Sequence, residues 1–378
     1  MEAEKEYYQS AYDKLFEYLV RKGYRKEFIR KIKLHRVLNL RCTVSDDSGS
    51  TIDSYLIVTP SAIQKIPSLS EGKEEMLPEG FDKTINRYTV AYDAGKLVIR
   101  EQGNRIKTVR TFYDRVILPF DAAAGEQFFY RGHSDSAEHF MRPGIYRPMP
   151  GKTDLSVLKE HIFYKEAIRR CPEDFDRLHS AFEHLVKMQH YRVPTRLLDI
   201  TSNPLVALYF ACSGNPDADG EVYAFRIRKE EIKYFDSDAV SVVANLARRP
   251  AEFSMPSESA DIGAFNRTEQ IEYLLHEIRY EKPQFLDKIR PDDLEKVFCV
   301  LPKLNNPRII RQSGAFFLFG IDGAKGRMAR FSFPFRRFVI SASGKKRILE
   351  DLAKLGIDES ALFPELETVA DYLRHDNL

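Results

Sequence analysis

Apolar side chains return at helical spacing at Tyr8, Tyr12, Leu15 and Leu19, which predicts an N-terminal helix stopped near Gly23. Phe28 and Ile32 lie one turn apart and predict a second helix. From about residue 37 to 110 the period changes to two. Short runs at 38–44, 55–59, 88–92 and 96–100 read as strands, divided by turn-forming segments such as Asp93-Ala94-Gly95 and Gln102-Gly103-Asn104. Residues 66–86, rich in Ser, Glu, Gly and Pro, read as a long loop, and Asp121-Ala122-Ala123-Ala124-Gly125 is the best linker. Beyond it strands and helices mix. Strands are expected at 128–131, 221–227, 308–319 and 330–341, and helices near 154–170, 174–190, 203–212 and 268–280. Two closing helices follow, one over 346–355 ended by Gly356 and one from about Pro364. The class this predicts is α+β in two parts: a small β-rich domain with helices over 1–120, and a larger domain over 126–378.

Charge modifies this picture locally. The 378 residues carry a formal net charge of only +2, which excludes a bulk polycation. Yet residues 21–41 hold nine basic side chains and one acid, leaving the remainder of the chain net negative. Two readings stay open for that stretch: a solvated surface, or a contact for nucleic acid or an acidic protein. No apolar run approaches the roughly 18 residues that span a bilayer, and the opening Met1-Glu2-Ala3-Glu4-Lys5 does not resemble a secretory signal. No membrane partner is expected, and the cytoplasm is the expected location. Cys42, Cys171, Cys212 and Cys299 are too scattered for a disulfide framework or a zinc knuckle. His179, His184 and His190 fall at spacings that place no two on one helix face with a carboxylate, so no metal site is expected. Neither a G-x-S-x-G elbow nor a Walker loop is present.

Three segments carry candidate chemistry. In Gln189–Cys212, Asn203 followed by Pro204 is a strong helix start, and the helix it opens is apolar nearly all round and should be buried. Arg196, Asp199, Thr201 and Ser202 approach that N-terminus. They could form a phosphate seat there, or a structural ion pair with a second cap. In Phe129-Tyr130-Arg131-Gly132-His133, a strand delivers a guanidinium beside a glycine that permits close backbone approach. In the third segment Gln312 stands just ahead of a core strand, where its amide could bond a ribose or be an ordinary polar residue at the strand entry.

These segments resemble the FRG domain, named for an aromatic-Arg-Gly motif, here Tyr130-Arg131-Gly132. The resemblance extends to Gln189-His190-Tyr191, Pro194-Thr195-Arg196-Leu197-Leu198-Asp199, Asn203-Pro204-Leu205-Val206-Ala207-Leu208-Tyr209-Phe210-Ala211 and Gln312-Ser313-Gly314-Ala315-Phe316. Leu362-Phe363-Pro364-Glu365-Leu366 resembles the family's closing signature, so the likeness covers about residues 126–375. Three positions depart from it: His133 where Gln is common, Arg192 where Gly is common, and Ile200 where Trp is common. The last implies a repacked pocket wall.

The family occurs in bacterial mobile elements and phage-defence settings, and its motif order is similar to that of ADP-ribosyltransferases. The resemblance implies a split-sheet core and NAD as substrate. The implied roles are Arg131, Gln312 and Asp199 for catalysis, with Tyr130, Gly132, His190, Arg196, Thr201 and Ser202 binding the dinucleotide. It further implies a macromolecular acceptor and a toxin or defence role. Gln312 is neutral where transferases commonly carry Glu, leaving Asp199 as the nearby acid. The alternative is a sensor that binds a nucleotide or nucleic acid without turnover.

Overall fold

The computed structural model describes residues 29–34, 38–45, 51–58, 88–93, 96–101, 105–119, 125–135, 141–147, 156–256 and 261–365. Five strands come first: β1 (Ile29–Leu34), β2 (Leu38–Ser45), β3 (Thr51–Val58), β4 (Tyr88–Asp93) and β5 (Lys96–Glu101). They pair in the order β1-β2-β3-β5-β4, with β3 and β5 parallel. The expected helix through Ile32 is therefore a strand. Ile29–Leu34 forms an antiparallel hairpin with β2, so pairing overrides the weak helical spacing of two residues. The basic stretch accordingly continues into this hairpin from residue 29; residues 21–28 and the expected first helix lie outside the described residues, as does the expected loop at 66–86.

Nine further strands follow: β6 (Glu126–His133), β7 (Leu197–Thr201), β8 (Gly220–Arg228), β9 (Ile232–Tyr234), β10 (Val297–Leu301), β11 (Gly314–Phe319), β12 (Ile321–Asp322), β13 (Ala324–Met328) and β14 (Phe335–Ile340). Seven of them build a mixed sheet in the order β14-β8-β6-β7-β11-β10-β9, antiparallel except for β9 and β10. The eight helices that matter below are α1 (Glu160–Arg170), α2 (Ala181–His190), α3 (Pro204–Cys212), α4 (Asp238–Asn245), α5 (Glu269–Glu281), α6 (Pro307–Arg311), α7 (Ala342–Lys354) and α8 (Glu359–Leu362). The class is α+β. Among the described residues no helix is long and apolar enough to cross a membrane.

The central strands are apolar on both faces, as strands covered on both sides must be. On one face Phe129, Tyr223, Phe225, Phe317 and Phe335 pack into an aromatic core. The opposite face carries two helical layers: α2, α4 and α5 over β10 and β11, and α3 and α7 over β6 and β8. Ile106, Phe112 and Val116 are buried in this second layer, and Ile106 bridges Ile340 of β14. Residues 105–117 thus pack with the larger part, and the boundary drawn at 120 moves toward the N-terminus.

Two expected elements change. Residues 307–311 form α6, not the beginning of a strand, because Asn306 caps the Arg308 N–H (2.8 Å) and Pro307 opens the turn. Glu359–Leu362 forms α8, capped by Asp358; Pro364 and Glu365 are not helical, and the rest of the helix expected from about Pro364 lies outside the described residues.

A half-buried histidine makes the fold sensitive to acid. His184 on α2 has Nε2 3.3 Å from the Leu178 carbonyl, which can only accept, so Nε2 carries the proton and Nδ1 receives the Tyr164 hydroxyl. Burial lowers the His184 pKa from its ordinary 6.5, and His161 and His190 shift the same way. Below pH 6.5 the unfolded chain therefore binds more protons than the folded one, and stability falls as pH drops through that window. Thermal melts taken from about pH 7.5 down to about pH 5.5 should show a declining Tm. His184→Gln should flatten the slope; an unchanged slope would assign the effect elsewhere.

Candidate functional site

Strands β6 and β7 are neighbours joined at a single register pair, Tyr130 with Thr201, whereas β6 and β8 pair along eight residues. Past that pair the two strands separate, and the sheet opens between them. Arg131, the next residue on β6, projects from the same face as Phe129. Its Nη1 donates to the Asp199 carbonyl (2.5 Å) and its Nε to His133 Nε2 (2.9 Å). The guanidinium thus occupies a backbone acceptor on β7 that the ladder leaves without a strand partner. Its side chain is 15% exposed, and desolvation pulls its pKa down to about 10.

The Asp199 carboxylate lies at the rim of the opening, 58% exposed, with Oδ2 4.0 Å from Arg131 Nη1. The same oxygen accepts from Gln189 Nε2 (2.8 Å), while Gln189 Oε1 accepts from the Thr195 hydroxyl (2.7 Å). Thr195 is buried and also accepts from the Leu197 N–H, so the amide of Gln189 has one orientation. Gln189, Asp199, Arg131 and His133 therefore form a continuous polar chain across the opening.

Gln312 reaches the other end of β7. Its carbonyl accepts from the Thr201 hydroxyl (2.6 Å), and the Ser313 carbonyl accepts from the Ser202 N–H (3.0 Å). Ser313 sits at φ +47, a left-handed conformation unusual for a residue with a side chain. Strain of this kind persists where surrounding bonds fix the backbone, as these two do. The Gln312 amide donates to the Leu362 carbonyl (3.1 Å). His190, at the end of α2, is 3.3 Å from Glu365 Oε1. Arg308 of α6 lies over the Phe363 ring at 4.6 Å. The segment Leu362–Glu365 thus touches Gln312, Arg308 and His190 with successive parts.

Several expected site residues have structural roles. Arg196 is fully buried and spends its guanidinium on Glu160 and the Phe319 carbonyl, so it does not hold a ligand phosphate. Tyr130 is buried in the α3 layer, where burial raises its pKa to about 12. Gly132 lets α3 approach: a Cβ there would stand 1.8 Å from the Ala207 carbonyl oxygen. Thr201 Oγ1 both donates to Gln312 and accepts from the Asn203 N–H (2.9 Å), and Asn203 Oδ1 caps the Leu205 N–H (3.0 Å). The N-terminus of α3 is largely satisfied by its own chain, so the phosphate seat expected there is not built. Ser202 is exposed, with its hydroxyl 3.4 Å from the Ser313 carbonyl. Ile200 is buried in the aromatic core.

Arg192 has φ +63, which gives a physical reason for glycine at that position. Burial raises the Cys212 thiol to about 12 and moves Cys299 upward too, so neither is an activated nucleophile. Among the described residues no group of three or more His, Cys, Asp or Glu could hold a metal.

The residues the structure brings together are therefore Arg131, Asp199, Gln189 and His133, with Gln312, His190 and Arg308 on the adjoining side of β7. Arg308 and Glu365 carried no assigned role in the sequence. The Asn306-Pro307 helix start that positions Arg308 stands just ahead of the run 308–319, which reads as strand.

Residues 126–220 match the family model of the FRG domain. The matched stretch runs from β6 to the first residue of β8. It includes Arg131, Gln189, His190, Arg196 and Asp199, whereas Arg308 and Gln312 lie beyond it. No curated protein and no solved structure matches the chain.

Proposed function

We propose that the opening between β6 and β7 is an NAD site, and that the protein cleaves NAD+ by transferring ADP-ribose to an acceptor or to water. The observation that supports this most is convergence on one short strand, β7, where the sheet comes apart: the Arg131 guanidinium bonds it at Asp199, and the Gln312 main-chain carbonyl bonds it at Thr201. This split between strands fits the ADP-ribosyltransferase-like core that the resemblance implies.

Cleavage breaks the bond between the ribose C1′ and the nicotinamide nitrogen. The electron pair leaves with nicotinamide, the ribose becomes an oxocarbenium ion, and water or an acceptor group attacks C1′ and loses a proton. Such a reaction needs the ribose fixed and the charge compensated. Arg131, partly desolvated, is suited to an anionic group of the substrate. Gln312 is suited to a ribose hydroxyl once its amide leaves Leu362, and Asp199 is the exposed carboxylate facing the cation. His190 lines the adjoining side. A toxin or defence role, with a macromolecular acceptor, follows from the family's settings.

Incubation with NAD+ and chromatography should show nicotinamide release. Arg131→Ala and Gln312→Ala should each lower that release by about 100-fold or more, in line with the loss of a transition-state contact. Their melts should shift by only a few degrees, since Arg131→Ala removes two hydrogen bonds and Gln312→Ala one, each worth about 1 kcal/mol. No release with any cell extract as acceptor source would overturn the reading. One observation favours a binder without turnover: Asp199 is bonded by Gln189, and the Gln312 amide is taken by Leu362. A binder would retain NAD+ unmodified.

A further inference from the structure

Beside the opening lies a cleft of about 560 Å³ between α2, the turn at 172–178 and the segment leading into α6, a size typical of small-molecule sites. Arg177, Lys187, His190, Lys303, Arg308 and Glu365 are among its walls. Two of the cations are already matched, Lys187 to Asp174 (2.9 Å) and Lys303 to Glu183 (3.1 Å). Arg308 makes no ion pair among the described residues. It is half-buried, stacked on Phe363, and set firmly by the Asn306 cap of its helix. The Asp199 and Glu365 carboxylates favour its charged form, but neither pairs with it, so a ligand phosphate at hydrogen-bond distance would make contacts that the described residues leave unmade.

Glu365 brings a carboxylate to this place incompletely. One oxygen meets His190 at 3.3 Å, while the other is buried with no hydrogen-bond partner among the described residues. The cleft thus holds a carboxylate of the chain itself, in the neighbourhood of Arg308 and His190, with half its bonding capacity unused.

We propose that the cleft seats the phosphate groups of a nucleotide, with Arg308 as the residue that grips them and Glu365 as an internal anion that they displace. This rests on the NAD reading above and assigns its pyrophosphate to the cleft at Arg308, not to the N-terminus of α3.

Calorimetric titration of the full chain with ADP-ribose, and separately with inorganic pyrophosphate, tests it. Both should bind. Arg308→Gln should weaken both at least tenfold, and Glu365→Gln should tighten both about threefold or more by removing the competitor. Tightening is a result that misfolding cannot imitate. Affinities of Arg308→Gln within twofold of the parent, or no binding of either probe by the parent, would overturn the proposal. The two readings separate cleanly. Nicotinamide release with an unaltered KM in Arg308→Gln would sink this proposal alone. Arg308-dependent pyrophosphate binding without any release would sink only the cleavage.

Discussion

Glu160→Ala should cost about 3–5 kcal/mol of stability and lower Tm by roughly 10 °C, the largest loss expected from any single side-chain truncation here. Glu160 is 2% exposed and faces two cations that are fully buried, Arg196 and Lys325. Arg196 Nε donates to Glu160 Oε1 at 2.9 Å, its Nη2 donates to the second oxygen, and its Nη1 donates to the Phe319 carbonyl at 3.0 Å. Lys325 Nζ is 3.4 Å from Glu160 Oε2 and also donates to the Arg249 carbonyl. Burial raises the Glu160 pKa, but Arg196 and Lys325 pull it harder the other way, and the net shift is downward.

Without the carboxylate, Lys325 can shed its proton, since desolvation already brings its pKa to about 8. Arg196 cannot, and it would remain charged in an apolar core. Urea unfolding measures the loss. A double replacement of Glu160 and Arg196 by Met should recover most of it, because removing both charges leaves no uncompensated ion. A loss below about 1 kcal/mol in Glu160→Ala would contradict this account. The linkage adds a sign: stability held by Glu160 is present above its ordinary pKa of 4.5 and is lost as pH falls through the lower, folded value.

Gly132→Ala should be nearly as damaging, at about 3 kcal/mol or more. The new methyl would lie 1.8 Å from the Ala207 carbonyl oxygen and 2.7 Å from the Ala211 nitrogen, both backbone atoms of α3. A flexible side chain could swing aside, but a helix backbone packed on β6 cannot. A Cβ added at Gly220 on β8 would likewise stand 2.1 Å from the Ala211 carbonyl oxygen, so α3 lies in a trough floored by two glycines. Gly326→Ala is the matched control. Its methyl would meet only a Leu158 methyl at 3.7 Å, an ordinary contact, and should change stability by less than about 0.5 kcal/mol. Chemical denaturation of the two variants distinguishes the positions. Equal effects would mean that β6 and α3 can part at little cost.

Much of the larger part was legible in the sequence. The Asn203-Pro204 start and all-apolar character of α3 marked a buried helix, and the runs around 128–131, 221–227 and 308–319 marked core strands, the last of them strand only from residue 314. The α+β class followed from these. Residues 307–311 were misread because Ile309 and Ile310 look like strand material when the capping side chain of Asn306 is not weighed. Strand β10 and helix α4 passed unmarked, since short apolar segments without flanking caps give no clear period.

The site was legible as a set of motifs, but the division of labour within it was not. Arg131 and Arg196 look alike in sequence. One lines an opening and the other neutralises a buried carboxylate 36 residues earlier in the chain, and only three-dimensional pairing separates them. Gly132 and Thr201 belong to the motif for packing and backbone bonding. Glu365 lies in the closing signature but, like Arg308, carried no role, because their relation depends on residues 362–365 folding back across α6.

The single pair joining β6 to β7 also has a mechanical consequence. Along an ordinary ladder, prying two strands apart breaks a hydrogen bond at each step. Here, beyond Tyr130 and Thr201, the connection is carried by the Arg131 side chain. The two wings of the sheet are stitched at one point and buttoned by a guanidinium, so a bound anion that competes for Arg131 would also set how far the seam gapes.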